Sequence, residues 1–211
     1  MEVDDTVAEQ AAEYLACVDP VLAPVIAQYG LCPIRPHHEY YRALTGEIIG
    51  QQLSIKAATT IRQRFDNLFS GVFPQPEAIL EKSIDELRTV GLSASKATYI
   101  RDLAQHIVDG KVRFDHLHTL SNDAIIRELT DVKGIGEWTV HMFLMFCMGR
   151  TDVLAHGDLG IRNAIKKLYN LSQVPTPQAV KVLSEHNHWH PYETVACWYL
   201  WESLENVPTT G

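Results

Sequence analysis

The chain has 211 residues, 46% of them hydrophobic, and a formal charge of −8. That length suits one compact domain or two closely packed lobes, and the apolar content excludes a disordered chain. No run approaches the about 18 apolar residues that a membrane span needs, and the acidic start MEVDDTVAEQ lacks the apolar core of a secretory signal.

Taken in chain order, residues 1–10 read as a loose end, as does the final PTTG. From Tyr41 to Leu68 the residues Leu44, Ile48, Ile49, Ile55, Ala58, Ile61 and Phe65 keep a three-to-four spacing, interrupted at GQQLS. This predicts two helices with a short polar joint and Ser54 as the second N-cap. Ser83 and Glu86 make a capping box for a short helix ending near Gly91. Lys96 to Val108 is amphipathic and closed by Gly110, Ser121 opens another helix, and Glu137 to Cys147 is strongly apolar. Asp158 to Tyr169 and Pro191 to Leu204 complete the set. Alternating strand patterns do not occur, so the class is all-α.

Cys17, Cys32, Cys147 and Cys197 lack the spacing of a zinc site, an iron–sulfur cluster or a disulfide framework, and read as buried free thiols. The negative charge sits oddly with a nucleic-acid partner, but it is unevenly spread. Residues 1–40 hold seven acids against Arg35 alone, whereas residues 131–170 hold five bases and four acids.

Three segments carry chemistry. In VKGIGEWTV (Val132 to Val140) two glycines flank one apolar residue. Such a turn is either a packing device between helices or an anion site, its amides aimed outward at a helix start. Asp158 stands directly before an amphipathic helix, where it is a helix cap or a charge-stabilising carboxylate, two compatible roles. In GEIIGQQLSIKAA, adjacent amides followed by Leu53 form either a solvated turn or a wedge that enters a base stack. SIDELRTVGLSASKATYI and SNDAIIRELTDVKGIGEWTV also form a faint repeat of helix, turn and helix.

These segments, with GLSASKATYIRDLA and WHPYETVACWYLWESL, resemble the helix-hairpin-helix DNA glycosylases, in particular the alkylpurine (3-methyladenine) branch. The similarity runs from Asp19 to Leu204. It implies two helical lobes with a DNA-binding cleft between them: residues 1–50 and 171–211 forming a terminal lobe, and residues 51–170 carrying the hairpin and Asp158. It implies that Gly134 and Gly136 hold a phosphate by their amides, and that Ser54 and Lys133 also contact DNA. Gln52 and Leu53 would fill the gap left by a flipped nucleotide, Trp138 would line the base pocket, and Asp158 would be the catalytic carboxylate. No catalytic cofactor is implied; a structural Na+ or K+ ion is expected on the carbonyls of Thr130, Val132 and Ile135.

The implied activity is monofunctional hydrolysis of the N-glycosidic bond of alkylated purines, by a monomer acting on double-stranded DNA in a bacterial nucleoid or a nucleus. N3- or N7-alkylated purines are cationic and leave as neutral bases. A fixed carboxylate opposite the oxocarbenium-like sugar then supplies most of what catalysis needs. Three positions depart from the branch: Glu137 where a base is usual, Gly157 where an acid often precedes the catalytic Asp, and Glu193 where Arg is usual. They support a second reading, a catalytically weak or inactive paralog that binds lesions or abasic sites. A helical scaffold is the reading from another class, and it has no need of both Asp158 and Trp138.

Overall fold

The computed structural model describes residues 2–205, and within them the chain is all-helical, with a single isolated bridge between Glu2 and Arg150. In chain order, α1 spans Asp5–Val18 and α2 Ala23–Tyr29. They are followed by α3 (Tyr40–Gly50), α4 (Ile55–Leu68), α5 (Pro76–Leu80), α6 (Ile84–Arg88) and α7 (Ala94–Val108). A 3-10 turn at Leu117–Thr119 leads to α8 (Asn122–Thr130) and α9 (Glu137–Met142). After a π turn at Phe143–Cys147 come α10 (Leu159–Leu168), α11 (Pro177–His186) and α12 (Glu193–Glu205). Among the described residues no helix is long and apolar enough to cross a membrane.

Capping sets most of these starts. Ser54, Ser83, Ser93, Ser121, Asp158 and Thr176 each accept an amide of the first turn. At Ser83 the Glu86 carboxylate returns the bond, completing the expected box. The apolar run expected as one helix from Glu137 to Cys147 instead passes from α9 into the π turn, which inserts an extra residue into the winding.

The chain divides into two compact units. One runs Glu39–Phe143; the other combines the residues up to His38 with those from Leu144 onward. This differs from the expected division at 50/51 and 170/171. Helix α3 belongs with α4 and α7, and α10 belongs with α12, because each buries its apolar stripe there.

In the unit of residues 39–143, α7 is central and packs against α3, α5 and α6, burying Ala97, Ile100, Leu103 and Ala104. In the other unit α12 is central. Val195, Ala196, Cys197, Tyr199 and Leu200 are buried, and α12 contacts α1, α2 and α10. Asp19 anchors this unit from a fully buried position, accepting from the amides of Val21 (2.9 Å) and Leu22 (3.2 Å), Asn187 Nδ2 (2.9 Å), Trp189 Nε1 (2.7 Å) and the Tyr169 hydroxyl. Five donors replace the water that a buried carboxylate loses.

The N-terminal residues depart from the loose end expected. Val3 is buried with its amide on the Gly149 carbonyl at 2.8 Å, and Asp4 caps α1. The PTTG end lies outside the described residues. Among the described residues the cysteines form no disulfide; Cys32, Cys147 and Cys197 are buried as expected, but Cys17 is exposed.

Candidate functional site

The hairpin between α8 and α9 is built around Gly134. Its φ is +83°, and a Cβ there would lie 2.1 Å from the Tyr99 ring, so the position admits no side chain. Gly136 differs: its backbone is extended, it caps α9, and a Cβ would meet nothing within 4 Å. Sterics within the protein therefore require glycine at 134 and not at 136. Ile135 between them is buried. Among the described residues neither the Gly134 nor the Gly136 N–H has an acceptor.

Lys133 points its ammonium toward Asp102, 3.4 Å away, and its own peptide N–H is taken by Asp102 Oδ2 at 2.9 Å. Only its exposed side chain is left for a ligand. Trp138, at the start of α9, is 47% exposed. Glu137 is exposed, with Oε1 3.6 Å from His141 Nε2.

The turn between α3 and α4 lies in the same unit. Gln52 adopts a left-handed backbone at φ 58°, a conformation that costs a non-glycine residue on the order of 1–2 kcal/mol. Leu53 is 38% exposed with its amide on the Gly50 carbonyl at 3.1 Å, and Ser54 Oγ caps α4 through Ala57. The turn and the hairpin are joined directly, because Gln51 Nε2 donates to the Gly134 carbonyl at 2.8 Å. From α7, Lys96 Nζ donates to the carbonyls of Ile49 (2.9 Å) and Gln51 (2.6 Å). Gln51, Lys96, Tyr99 and Asp102 were not singled out from sequence. Their signal was the i, i+3, i+6 spacing of Lys96, Tyr99 and Asp102, and their targets are backbone groups with no sequence signature.

Asp158 belongs to the other unit, at the start of α10 and half-buried. Its Oδ1 accepts from the Ile161 amide at 2.8 Å and from Trp201 Nε1 at 3.0 Å, two donors arranged for an anion. Gly160 makes room for this pairing, since a Cβ there would meet Asp158 Oδ1 at 3.0 Å and the Trp201 ring at 3.2 Å. The Trp201 ring lies 5.8 Å from that of the partly exposed Phe146, and Leu159 is also exposed. The indole of Trp201 thus accompanies the carboxylate, and Trp201 is a fifth residue that sequence reasoning missed.

Glu193, the acid that stands where Arg is usual in the branch, is largely buried. Its side chain is only 13% exposed, Oε1 meets His190 Nδ1 at 3.0 Å, Oε2 is buried and has no hydrogen-bond partner among the described residues, and burial pushes its pKa up.

Residues 45–187 match the family described as HhH-GPD superfamily base excision DNA repair protein. The chain belongs to that family. Among similar HhH-GPD proteins, a Schizosaccharomyces pombe protein named DNA-3-methyladenine glycosylase 1 is 37% identical over 78% of this chain and 72% of its own length. A solved structure of the S. pombe 3-methyladenine DNA glycosylase in complex with abasic DNA superposes with a TM-score of 0.78 at 34% identity, covering 92% of this chain and 95% of that one. The structure of a DNA-3-methyladenine glycosidase from Bacillus halodurans gives a TM-score of 0.81 at 36% identity, covering 92% and 88%.

Proposed function

We propose that this chain is a DNA glycosylase of base-excision repair, hydrolysing the N-glycosidic bond of alkylated purines such as 3-methyladenine and 7-methylguanine after the nucleotide is flipped out of the duplex. The observation that carries the reading is Asp158, a carboxylate fixed at a helix start by two donors on one oxygen, one of them the indole of Trp201. Family membership supplies the substrate class, DNA.

Each residue then has a task. The amides of Gly134 and Gly136 take a DNA phosphate, and the open space at Gly136 lets the backbone of the ligand approach. Ser54 and the Lys133 side chain contact neighbouring phosphates. Gln52 and Leu53 fill the gap left by the flipped nucleotide, and Trp138 lines the base pocket, where an aromatic face attracts a cationic purine. As the glycosidic bond breaks, its electron pair goes to the purine and neutralises it. Asp158 stabilises the positive charge left on the sugar and orients water for attack at the anomeric carbon, the water giving up a proton.

The carbonyls of Thr130, Val132 and Ile135 suit a Na+ or K+ ion, a structural charge for the back of the hairpin. They are neutral oxygens, and among the described residues those of Thr130 and Ile135 accept no hydrogen bond. The enzyme is monofunctional: the position just after the hairpin is Trp138, so no lysine is there to form a Schiff base with the sugar. It acts as a monomer on double-stranded DNA containing alkylated bases, in the nucleoid or the nucleus.

The test is release of 3-methyladenine and 7-methylguanine from methylated duplex DNA under single-turnover conditions. Release supports the proposal. Tight binding of abasic DNA without release favours the lesion-binding reading, which exposed Glu137 beside the hairpin supports.

A further inference from the structure

Helix α7 presents Lys96, Tyr99 and Asp102 at three-residue spacing along one side, and each meets a different part of the DNA-contacting segments. Lys96 holds the carbonyls of Ile49 and Gln51 where α3 ends. Tyr99 packs on Gly134, and Asp102 accepts the Lys133 amide. The Gln51 side chain straps the turn to the Gly134 carbonyl. A cation at a helix C-terminus is ordinary capping, but two features here go beyond it. The Lys96 ammonium is drawn onto backbone, and burial pushes its pKa down. The residue next to its target, Gln52, is left-handed. Strained backbone persists only where its surroundings over-determine it, and the Lys96 bonds with the Gln51 strap fix the residue on which Gln52 depends.

We propose that Lys96 is a positioning residue for base excision: it holds the Gln51–Ser54 turn in register with the hairpin, so that Gln52 and Leu53 are set for insertion before DNA is bound. The proposal rests on the glycosylase reading above. With the turn already ordered, little binding free energy is spent on ordering it. Without the ammonium, the last carbonyls of α3 turn to water and the turn samples other conformations.

Lys96→Met keeps the aliphatic stem and removes the charge. Single-turnover release of 7-methylguanine should slow about tenfold or more, while affinity for undamaged duplex and the melting temperature stay near wild type. Insertion is read without chemistry from a duplex with 2-aminopurine opposite a tetrahydrofuran abasic analogue. The fluorescence rise on binding wild-type protein should be largely lost with Lys96→Met. Because Lys96 acts through the turn, the double variant with Leu53→Ala should be no slower than the slower single variant. Wild-type release and fluorescence in Lys96→Met, or slowing that multiplies in the double variant, would overturn the proposal. If Lys96→Met does not fold, Gln51→Leu, which cuts only the strap, carries the same decision: loss of both signals supports the pinned turn and wild-type signals overturn it. A wild-type chain that releases no base defeats the glycosylase reading, and the fluorescence still decides this one.

Discussion

The indole N–H of Trp201 donates to Asp158 Oδ1 at 3.0 Å, on the same oxygen that caps α10. Substitution can therefore separate charge from position. Asp158→Asn retains an acceptor for both donors and remains a good cap, but loses the negative charge. Excision should fall about 100-fold or more, with abasic-DNA affinity and melting temperature near wild type. Asp158→Ala should in addition be about 1 kcal/mol less stable. Single-turnover release beside a melting curve checks both, and wild-type excision by Asp158→Asn would leave Asp158 only a helix cap.

The two hairpin glycines should part company. Gly134→Ala forces a Cβ into the Tyr99 ring at a positive φ and should destabilise by about 2–4 kcal/mol. Gly136→Ala meets nothing in the protein, so its melting temperature should stay put while binding to any duplex weakens. Equal thermal losses in the two variants would refute the distinction.

Glu193 predicts a pH effect. Burial raises its folded pKa above the ordinary carboxylate value, so the folded chain holds this proton more tightly than the unfolded chain. The stabilisation is full below the unfolded pKa and is lost as pH rises through the folded one. Glu193→Gln, neutral throughout, should raise the melting temperature at neutral pH and flatten the decline that wild type shows above the ordinary carboxylate range. Unchanged melting temperatures at neutral and acidic pH would contradict this.

Few bases flank the hairpin, so Glu137→Arg should tighten binding to any duplex and steepen the log–log salt dependence by about 0.9 for each further phosphate neutralised. A neutral or weaker variant would mean that residue 137 faces away from DNA.

On the proposed monofunctional reading, borohydride treatment of a reacting mixture should trap no protein–DNA adduct, since Trp138 and not a lysine follows the hairpin and Lys133 Nζ lies 3.4 Å from Asp102. A trapped adduct would reveal an amine acting as nucleophile.

The local grammar of the fold was legible. Ser54, Ser83 with Glu86, Ser121 and Asp158 mark helix starts because a short polar side chain before an apolar stripe has one favourable use. Helix α1 was missed because its buried residues, Val7, Ala8, Ala11, Ala12 and Leu15, are mostly small and set among acids. The assignment of α3 and α10 to units depends on partners distant in sequence, which periodicity does not record. Asp158 and the hairpin could be read from motifs, whereas Lys96, Asp102 and Trp201 act on groups that sequence spacing does not reveal.

The composition of the units also orders events during synthesis. Residues 39–143 are continuous, so that unit can complete its core as soon as its last residues leave the ribosome. Helices α1 and α2 precede that unit in the chain but pack against α12, which follows it. The parts of α1 and α2 that α12 covers therefore stay open until residues 193–205 are made, and a nascent chain stalled before residue 193 would display them to chaperones while carrying a finished hairpin unit.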